Sequence, residues 1–599
     1  MLWARISDFS TVTLTTTRIA PDRRLSYLPA PFYDPNLRTP LRVPVVMPNP
    51  DAHGMLKASA LVASWFGKLA DFRKVSFPVS TTIPASGNAI AIGENLPIDA
   101  RGTRPTGPTL SEVENPNDRL GTILVLTGRN AQEVEVAARV LAFSSDTLGA
   151  VGTKVVNDVT LQPRHPYDAP AFVPTDRPVR FGELVAASDL QGGGFAPPVM
   201  ALPFHLPPDL YSWRNRPYPI DLWVRTPGGP VVDLETSRLD LHLNNNYLDS
   251  FTLKPPSLWA AWSERLVNQH AGAVEHAAAL PPWLLFGQNQ LKFSFDARPI
   301  DRGVCRRTPD DIHMSVDSDS WLDFRRGYHF ARLPNLSYFA EAAFPFSRMA
   351  DLSETTVVVP HHIDAGTAGT FMDLMGFFGA TTWYPASGVQ VADVNDLAEH
   401  PPQGDIVILA TAGDAPKFEE LLTRAPYELV DGHIRVGQHM GLQGIWYLFQ
   451  DHDHAGLQDG VQANLNAPIA GAGVLLGAQS PYRSDRSVVA LMGDTPSRMH
   501  DLVMGLRSKE DVPRIQGDLV LRNGDRLTSY RTAPTFTMGS LPWWMWLDWY
   551  LGTRPLTLYV LGLVGAGLVA AAAVRLLRRR AQRRLEEAGQ IKDTTDASH

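Results

Sequence analysis

Cysteine is almost missing: the 599 residues hold one, Cys305. No disulfide can close within this sequence, and in an oxidising compartment a lone thiol implies a partner elsewhere. An excess of positive charge is missing too. Lys and Arg number 54 against 62 Asp and Glu, a net charge of −8, which excludes a general nucleic-acid binder because that function needs a basic face. The amino terminus, MLWARISDFS, lacks the basic stretch and apolar run of an export signal. There is no G-x-S-x-G nucleophile elbow, and the lone cysteine has no catalytic setting. What remains is a chain with 44% hydrophobic residues, long enough for about three to five domains.

One long apolar run exists. Residues 556–574, LTLYVLGLVGAGLVAAAAV, carry no charge and are followed by Arg575, Arg578, Arg579, Arg580, Arg583 and Arg584. A helix of this length matches the hydrocarbon thickness of a bilayer, and clustered arginine after a span marks the cytoplasmic side. The expectation is a transmembrane helix over 555–575, a cytoplasmic tail over 576–599, and everything earlier outside. Export without a signal is a conflict, and a missing true N-terminus resolves it most simply. Just before the span stands LPWWMWLDWY, with Trp543, Trp544, Trp546, Trp549 and Tyr550. Trp and Tyr favour the membrane interface because the ring is apolar while its N–H or O–H stays wet. Residues 541–554 therefore read as an amphipathic interfacial helix with Trp543, Trp546 and Tyr550 on one face, ended by Gly552 and Pro555.

Two distant stretches are alike. LSY, VVMP and ALVASWFG occur within 25–67; LSY, VVVP and MDLMGFFG occur within 336–379. Gly67 follows Pro48 by 19 residues, and Gly379 follows Pro360 by 19. TILVLTG (122–128) then matches SVVALMG (487–493), with about 53 extra residues in the second copy. Each copy alternates short apolar strands with amphipathic helices, near 56–70 and 131–144 in the first and near 367–378, 415–423 and 496–506 in the second. That alternation implies a parallel sheet covered on both faces. Between the copies, IDLWVR (220–225), SRLDLHL (237–243) and NQLKFSF (289–295) alternate apolar and polar residues, which signals a β-sandwich. TVTLTTTRI (11–19) reads as the last strand of a similar sandwich. The expected layout is a sandwich remnant over 1–24, an α/β domain over 25–165, a sandwich over 166–330 and a second α/β domain over 331–540.

Chemistry-bearing clusters are sparse. The loops after the first strand of each copy, NPDAHGM (49–55) and HHIDAGTAGT (361–370), match no phosphate cradle and read as packing of sandwich against α/β domain. Asp317 and Asp319 form a D-x-D that reads as a surface turn, and His400 reads as a loop residue. QDHDHAG (450–456) holds His452 and His454 beside Asp451 and Asp453, metal-capable groups in what reads as a solvated loop. The sandwich offers a candidate sugar face: Trp213 and Tyr218 with Asn244, Asn245, Asn246 and Tyr247. Aromatic faces stack on sugar C–H surfaces and amides satisfy hydroxyls; a plain turn remains the alternative for Asn244–Asn246, and core packing is the reading for Trp223.

The stretches YLPAPFYDP (27–35), ALVASWFG (60–67), PRHPYDAPAFVPTDRPVRFGEL (163–184), LPPDLYSWRN (206–215), LHLNNNYLDSF (241–251), FPFSRMADLS (344–353) and GAQSPYRSDRSVVAL (477–491) run in order through nearly all of 8–555. On these the chain resembles the BcsB family, the periplasmic regulatory component of bacterial cellulose synthase. The resemblance implies jelly-roll-like carbohydrate-binding sandwiches alternating with flavodoxin-like α/β domains, then an interfacial helix and one anchor in the bacterial inner membrane. It implies no enzyme and no cofactor. Its partners would be the cellulose synthase catalytic subunit, which polymerises glucose from UDP-glucose, the emerging cellulose, and membrane lipid. A pairing of Cys305 with a cysteine upstream of Met1 is likewise implied by the resemblance alone, as is the family's older label of cyclic di-GMP binding.

Overall fold

The computed structural model describes residues 10–596 except 14, 18, 228–230, 254–272, 301–311, 426, 431–432, 437–470 and 532. Residues up to 436 together with 464–539 form one unit, and residues 540–599 belong to a second. The described residues of 10–24 form no strand. Among the described residues of 11–19 the expected strand is not made, as an extended segment without a bonded neighbour has nothing to hold it.

The first α/β domain is built on β1 (Val45–Val46), β2 (Val79–Ser80), β3 (Ala89–Glu94), β4 (Thr109–Asn115), β5 (Asp118–Gly128) and β6 (Thr153–Val155), with helices α1 (His53–Ala70) and α2 (Ala131–Ser144). The spatial order is β2-β1-β3-β5-β4-β6, parallel through β5 and antiparallel beyond it. Alternate residues of β3 face opposite ways, as strand geometry requires. Ile90 and Ile92 join the core under both helices, while Ala89 and Ala91 join a smaller cluster with Val46, Ile123 and Val125. α1 and α2 thus lie on one face. The expected parallel sheet covered on both faces is corrected in part: its last two strands are antiparallel, and the face away from the helices is covered by a smaller cluster, Val46, Ala89, Ala91, Ile123 and Val125, with Leu96 and Val113 packed on it.

Two antiparallel sheets follow. One has the order Gln191–Gly193 (β8), His313–Val316 (β15), Tyr218–Arg225 (β10), Trp321–Leu322 (β16), Val179–Arg180 (β7), and Ala273–Leu280 (β13) also pairs with β10. The other has the order Met200–His205 (β9), Gln288–Asp296 (β14), Arg238–Leu243 (β11), Asn246–Thr252 (β12). Their inward residues, among them Ile220, Leu222, Leu239, Leu241, Leu291 and Phe293, share one core. Period-2 alternation with one dry face produces that sandwich.

The second α/β domain repeats the first. Its strands are β17 (Thr355–Val359), β18 (Gln390–Asp393), β19 (Asp405–Thr411), β20 (Gly473–Gln479), β21 (Ser487–Gly493), β22 (Leu519–Asn523) and β23 (Arg526–Tyr530), with α3 (Ala365–Thr382) and α4 (Pro496–Gly505). The order β18-β17-β19-β21-β20-β22 reproduces the first sheet strand for strand, again parallel and then antiparallel, with β23 added at the edge. Residues 415–422 form a 3-10 helix.

The two copies meet through α1 and α3, and one hydrophobic cluster runs through both. The layers are sheet, helices, helices, sheet. A Cβ on Gly67 would collide with the Gly376 carbonyl, and one on Gly379 would collide with the Ser64 carbonyl. In the repeat, Ser64 and Gly67 correspond to Gly376 and Gly379, so each position touches the image of the other. That exchange defines a local pseudo-twofold axis, the geometry of an isologous contact. Polar ties reinforce it. The buried Asp373 carboxylate accepts from Phe77 N (2.8 Å) and lies 2.6 Å from His500 Nδ1, and Ser64 Oγ accepts from Ala386 N (2.8 Å).

The loops after β1 and β17 also face each other. Asp51 accepts from Ile363 N (2.9 Å) and pairs with His362 Nδ1 (2.8 Å), while His53 Nε2 meets Pro360 O (3.1 Å). The expectation that these loops pack against the sandwich is corrected: they close the two α/β domains onto one another.

In the second unit, α5 (Trp543–Thr553) ends where Pro555 opens α6 (Pro555–Asp596). Proline is tolerated at that first helical position and ends the preceding helix. Within α6, Leu558–Leu585 is apolar enough to cross a membrane, with a mean hydropathy of 2.2 and none of its apolar window buried. A core helix would be covered, and this one is not.

Candidate functional site

The β11–β12 hairpin turns at Asn244 and Asn245, both with positive φ (51° and 68°). Two consecutive left-handed residues make the tight hairpin turn that suits strand twist, and asparagine tolerates that region best after glycine. Asn244 is fully engaged. Its Nδ2 donates to Leu284 O (2.8 Å) and Asn289 Oδ1 (3.0 Å), and its Oδ1 accepts from Gln290 N (2.9 Å). It locks the hairpin to the turn at 281–287. Asn245 Oδ1 accepts from Lys292 Nζ (2.7 Å), and Asn246 and Tyr247 face solvent, Tyr247 at 60%.

The other sequence candidates are placed differently. Tyr218 is 1% exposed and belongs to the sandwich core, so it is not a surface sugar contact. Trp223, five residues on, lies on the opposite, half-buried face of the same strand. The two expectations are exchanged, because side chains on a strand alternate and odd and even positions cannot share a face. Trp213 is half-buried with the Arg214 and Arg216 guanidinium groups over its ring at 4.8 and 4.6 Å. That stacking occupies the surface a sugar would use.

The same junction shows aromatics that sequence reasoning missed. Trp283 is 65% exposed and Phe286 54% exposed, in the turn that Asn244 ties down. Their signal was PPWLLFG (281–287), where the strand alternation stops, two prolines intervene and an apolar run cannot be wholly buried. Tyr247, Trp283 and Phe286 are thus exposed aromatics on two joined turns, with Asn245, Asn246 and Lys292 supplying polar groups nearby. Flat apolar rings beside amide donors and acceptors suit a polyhydroxylated ligand.

Other clusters are neutralised internally. Asp317 accepts from Arg225 Nε (2.9 Å) and Nη2 (2.6 Å), and Asp319 pairs with Arg180 (3.1 Å), so the D-x-D is an arginine-tied turn. At the start of α3, Asp364 Oδ1 accepts from Thr367 N (2.7 Å). The helix N-terminus is satisfied by its own carboxylate, which repels the phosphate such a position would otherwise attract. The Asp393 carboxylate, hydrogen-bonded to His361, raises the His361 pKa; His400 N bonds to Asp396 O (3.0 Å) within a turn. His452, His454 and Cys305 lie outside the described residues.

In α5, Trp543 is 74%, Trp544 50% and Trp546 44% exposed. Trp546 stacks on Tyr550 (5.0 Å, 21°), one turn away as the spacing predicts, and Arg554 donates to the Tyr550 hydroxyl (2.7 Å) from above the ring. Trp549 and Tyr550 are half-buried.

Three protein-family models match this chain. Residues 24–156 match "Cellulose synthase BcsB, first FD domain", 178–321 the second CBM domain and 329–491 the second FD domain. The chain belongs to the cellulose synthase BcsB family. It is 98% identical over its whole length to "Cellulose synthase 2" of Novacetimonas hansenii, and 72% identical over 98% of its length to "Putative cellulose synthase 3" of Komagataeibacter xylinus. It spans 38% and 39% of those two proteins. A "Cyclic di-GMP-binding protein" of Komagataeibacter xylinus is 42% identical over 98% of the chain and 74% of that protein. The BcsB FD domains are the two α/β halves around the α1–α3 contact, and the CBM domain is the sandwich bearing the Asn244 junction.

Proposed function

We propose that this chain is a non-catalytic, membrane-anchored regulatory part of a bacterial cellulose synthase. It stabilises the catalytic part through α5 and α6 and guides the nascent glucan with its carbohydrate-binding sandwich. The observation that carries this reading is the combination of BcsB domains over most of the chain with one uncovered apolar helix at its end. The arginines following the span favour a cytoplasmic tail and a periplasmic bulk in the inner membrane. On this reading the sandwich is a jelly-roll-type module, the two α/β domains are flavodoxin-like scaffolds, and the joined turns with Tyr247, Trp283 and Phe286 meet the glucan. Lipid surrounds α6, and nucleic acid is not a partner.

The test is cellulose synthesis from UDP-glucose in reconstituted membranes holding the catalytic part. Deleting 541–580 should abolish stimulation of synthesis, and replacing Trp543, Trp544, Trp546 and Trp549 with alanine should weaken co-purification while the outer domains keep their melting behaviour. Full synthesis with the deleted chain would overturn the proposal. A second reading, cyclic di-GMP binding, is favoured only by the name of the 42%-identical relative; titration of the nucleotide into the full chain decides it.

A further inference from the structure

A cavity of about 380 Å³ opens between the sandwich and the second α/β domain, inside one compact unit. This is in the size range of small-molecule sites, about 300–1,000 Å³. Its walls come from three parts of the fold. The sandwich supplies Leu206, Pro207, Pro282 and Phe286, the short helix Leu336–Ala342 supplies Ser337, Tyr338 and Glu341, and the stretch before β22 supplies Ile515 and Gln516. The turn that carries Trp283 therefore forms one rim, and the exposed aromatic surface of the sandwich continues into the cavity through Phe286.

The lining is divided chemically. Leucine, proline and isoleucine side chains make flat apolar wall. Asn335, Tyr338, Glu341, Gln516 and Arg531 bring hydrogen-bonding groups. Among the charged ones there is one acid and one base, so the lining sums to zero and favours an uncharged ligand. Burial pushes the Glu341 carboxyl above its ordinary range, opposed by a hydrogen bond from Gly287 N, and burial raises the Tyr338 phenol as well. A desolvated acid lining a cleft is a candidate ligand contact. Room for roughly a dozen waters at about 30 Å³ each is about twice the bulk of one hexopyranose, so two linked units fit, with C–H faces that meet apolar wall and hydroxyls that need both donors and acceptors.

We infer that this cavity binds a neutral glucan end of one or two hexose units, such as cellobiose, with Glu341 accepting from its hydroxyls and Arg531 donating to them. The inference rests on the carbohydrate-binding reading of the sandwich and adds a second, discrete site to its extended surface.

The experiment titrates cellobiose, with maltose as comparison, into the full chain in detergent micelles by calorimetry, and separately measures co-sedimentation with insoluble cellulose. Saturable cellobiose binding is expected, weakened at least tenfold by Glu341→Leu and by Gln516→Trp, which fills the rim from an exposed position and leaves the fold intact. Both variants should still sediment with cellulose, whereas Trp283→Ala should not. Absence of saturable cellobiose binding, or binding unchanged in both variants, overturns the cavity site. Cellulose sedimentation without cellobiose binding leaves the sandwich reading standing alone, and failure of both removes both.

Discussion

Single residues set the local terms. Glu112, in β4, is buried, and its Oε1 has no hydrogen-bond partner. Burial pushes its carboxyl up to about 7 from an ordinary 4.5. The unfolded chain releases this proton above about 4.5, while the folded chain keeps it until about 7. Between those values the folded state binds more protons, so stability falls as pH rises. Glu112→Gln removes that cost. Its melting midpoint should equal that of the unaltered chain near pH 4 and exceed it at pH 8, measured by thermal unfolding across the range; a difference constant with pH would contradict the assignment. Tyr218 and Trp223 teach the residue-scale lesson of sequence reading. In YPIDLWVR the parity was in fact legible: Tyr218 shares its face with Ile220, Leu222 and Val224, while Trp223 shares its face with Asp221 and Arg225, and size alone is what suggested a core role for the tryptophan.

At the scale of elements, the α1–α3 contact decides how the two α/β copies fit. A methyl group at Gly379 meets the Ser64 carbonyl, which belongs to a helix backbone and cannot swing aside. Overpacking of this kind costs about 1–3 kcal/mol. Gly379→Ala should lower the midpoint of thermal unfolding and expose the α1–α3 seam to limited proteolysis, and an unchanged midpoint with unchanged cleavage would show that the helices part freely. Much at this scale was legible in the sequence. VVMP and VVVP, the two glycines at equal spacing and the TILVLTG–SVVALMG match located β1, β17, α1, α3, β5 and β21, because buried strands and close helix crossings restrict side-chain choice severely. The antiparallel strands β4 and β20 escaped, since hairpins leave no periodicity distinct from a parallel neighbour. The facing of Asp51 and His53 toward His362 and Pro360 escaped as well, because polar loop contacts impose almost no pattern.

For the whole molecule the decisive question is sidedness. The proposed orientation puts residues 10–540 outside and the end of α6 inside. A green fluorescent protein fused after His599 should fluoresce and an alkaline phosphatase fused there should be inactive, while protease added to spheroplasts should degrade the bulk of the chain. The opposite reporter pattern would reverse the orientation. The span was readable because nineteen uncharged residues are a physical requirement of lipid. The sugar-facing surface was only half readable. LHLNNNY announced a hairpin, yet the exposed Trp283 and Phe286 sit on a turn that Asn244 ties to it, a contact between residues 40 positions apart.

The exchange of Ser64–Gly67 with Gly376–Gly379 is what two copies of one protomer would make across a dimer axis. A gene duplication that joins such copies converts an association into a tether, with an effective concentration in the millimolar range or above that dilution cannot lower. It also lifts a restriction. A homodimer must carry every insertion twice, symmetrically, whereas a joined pair can keep one half as the fitted partner and let the other grow. The extra residues present in the second copy alone are the growth that fusion permits.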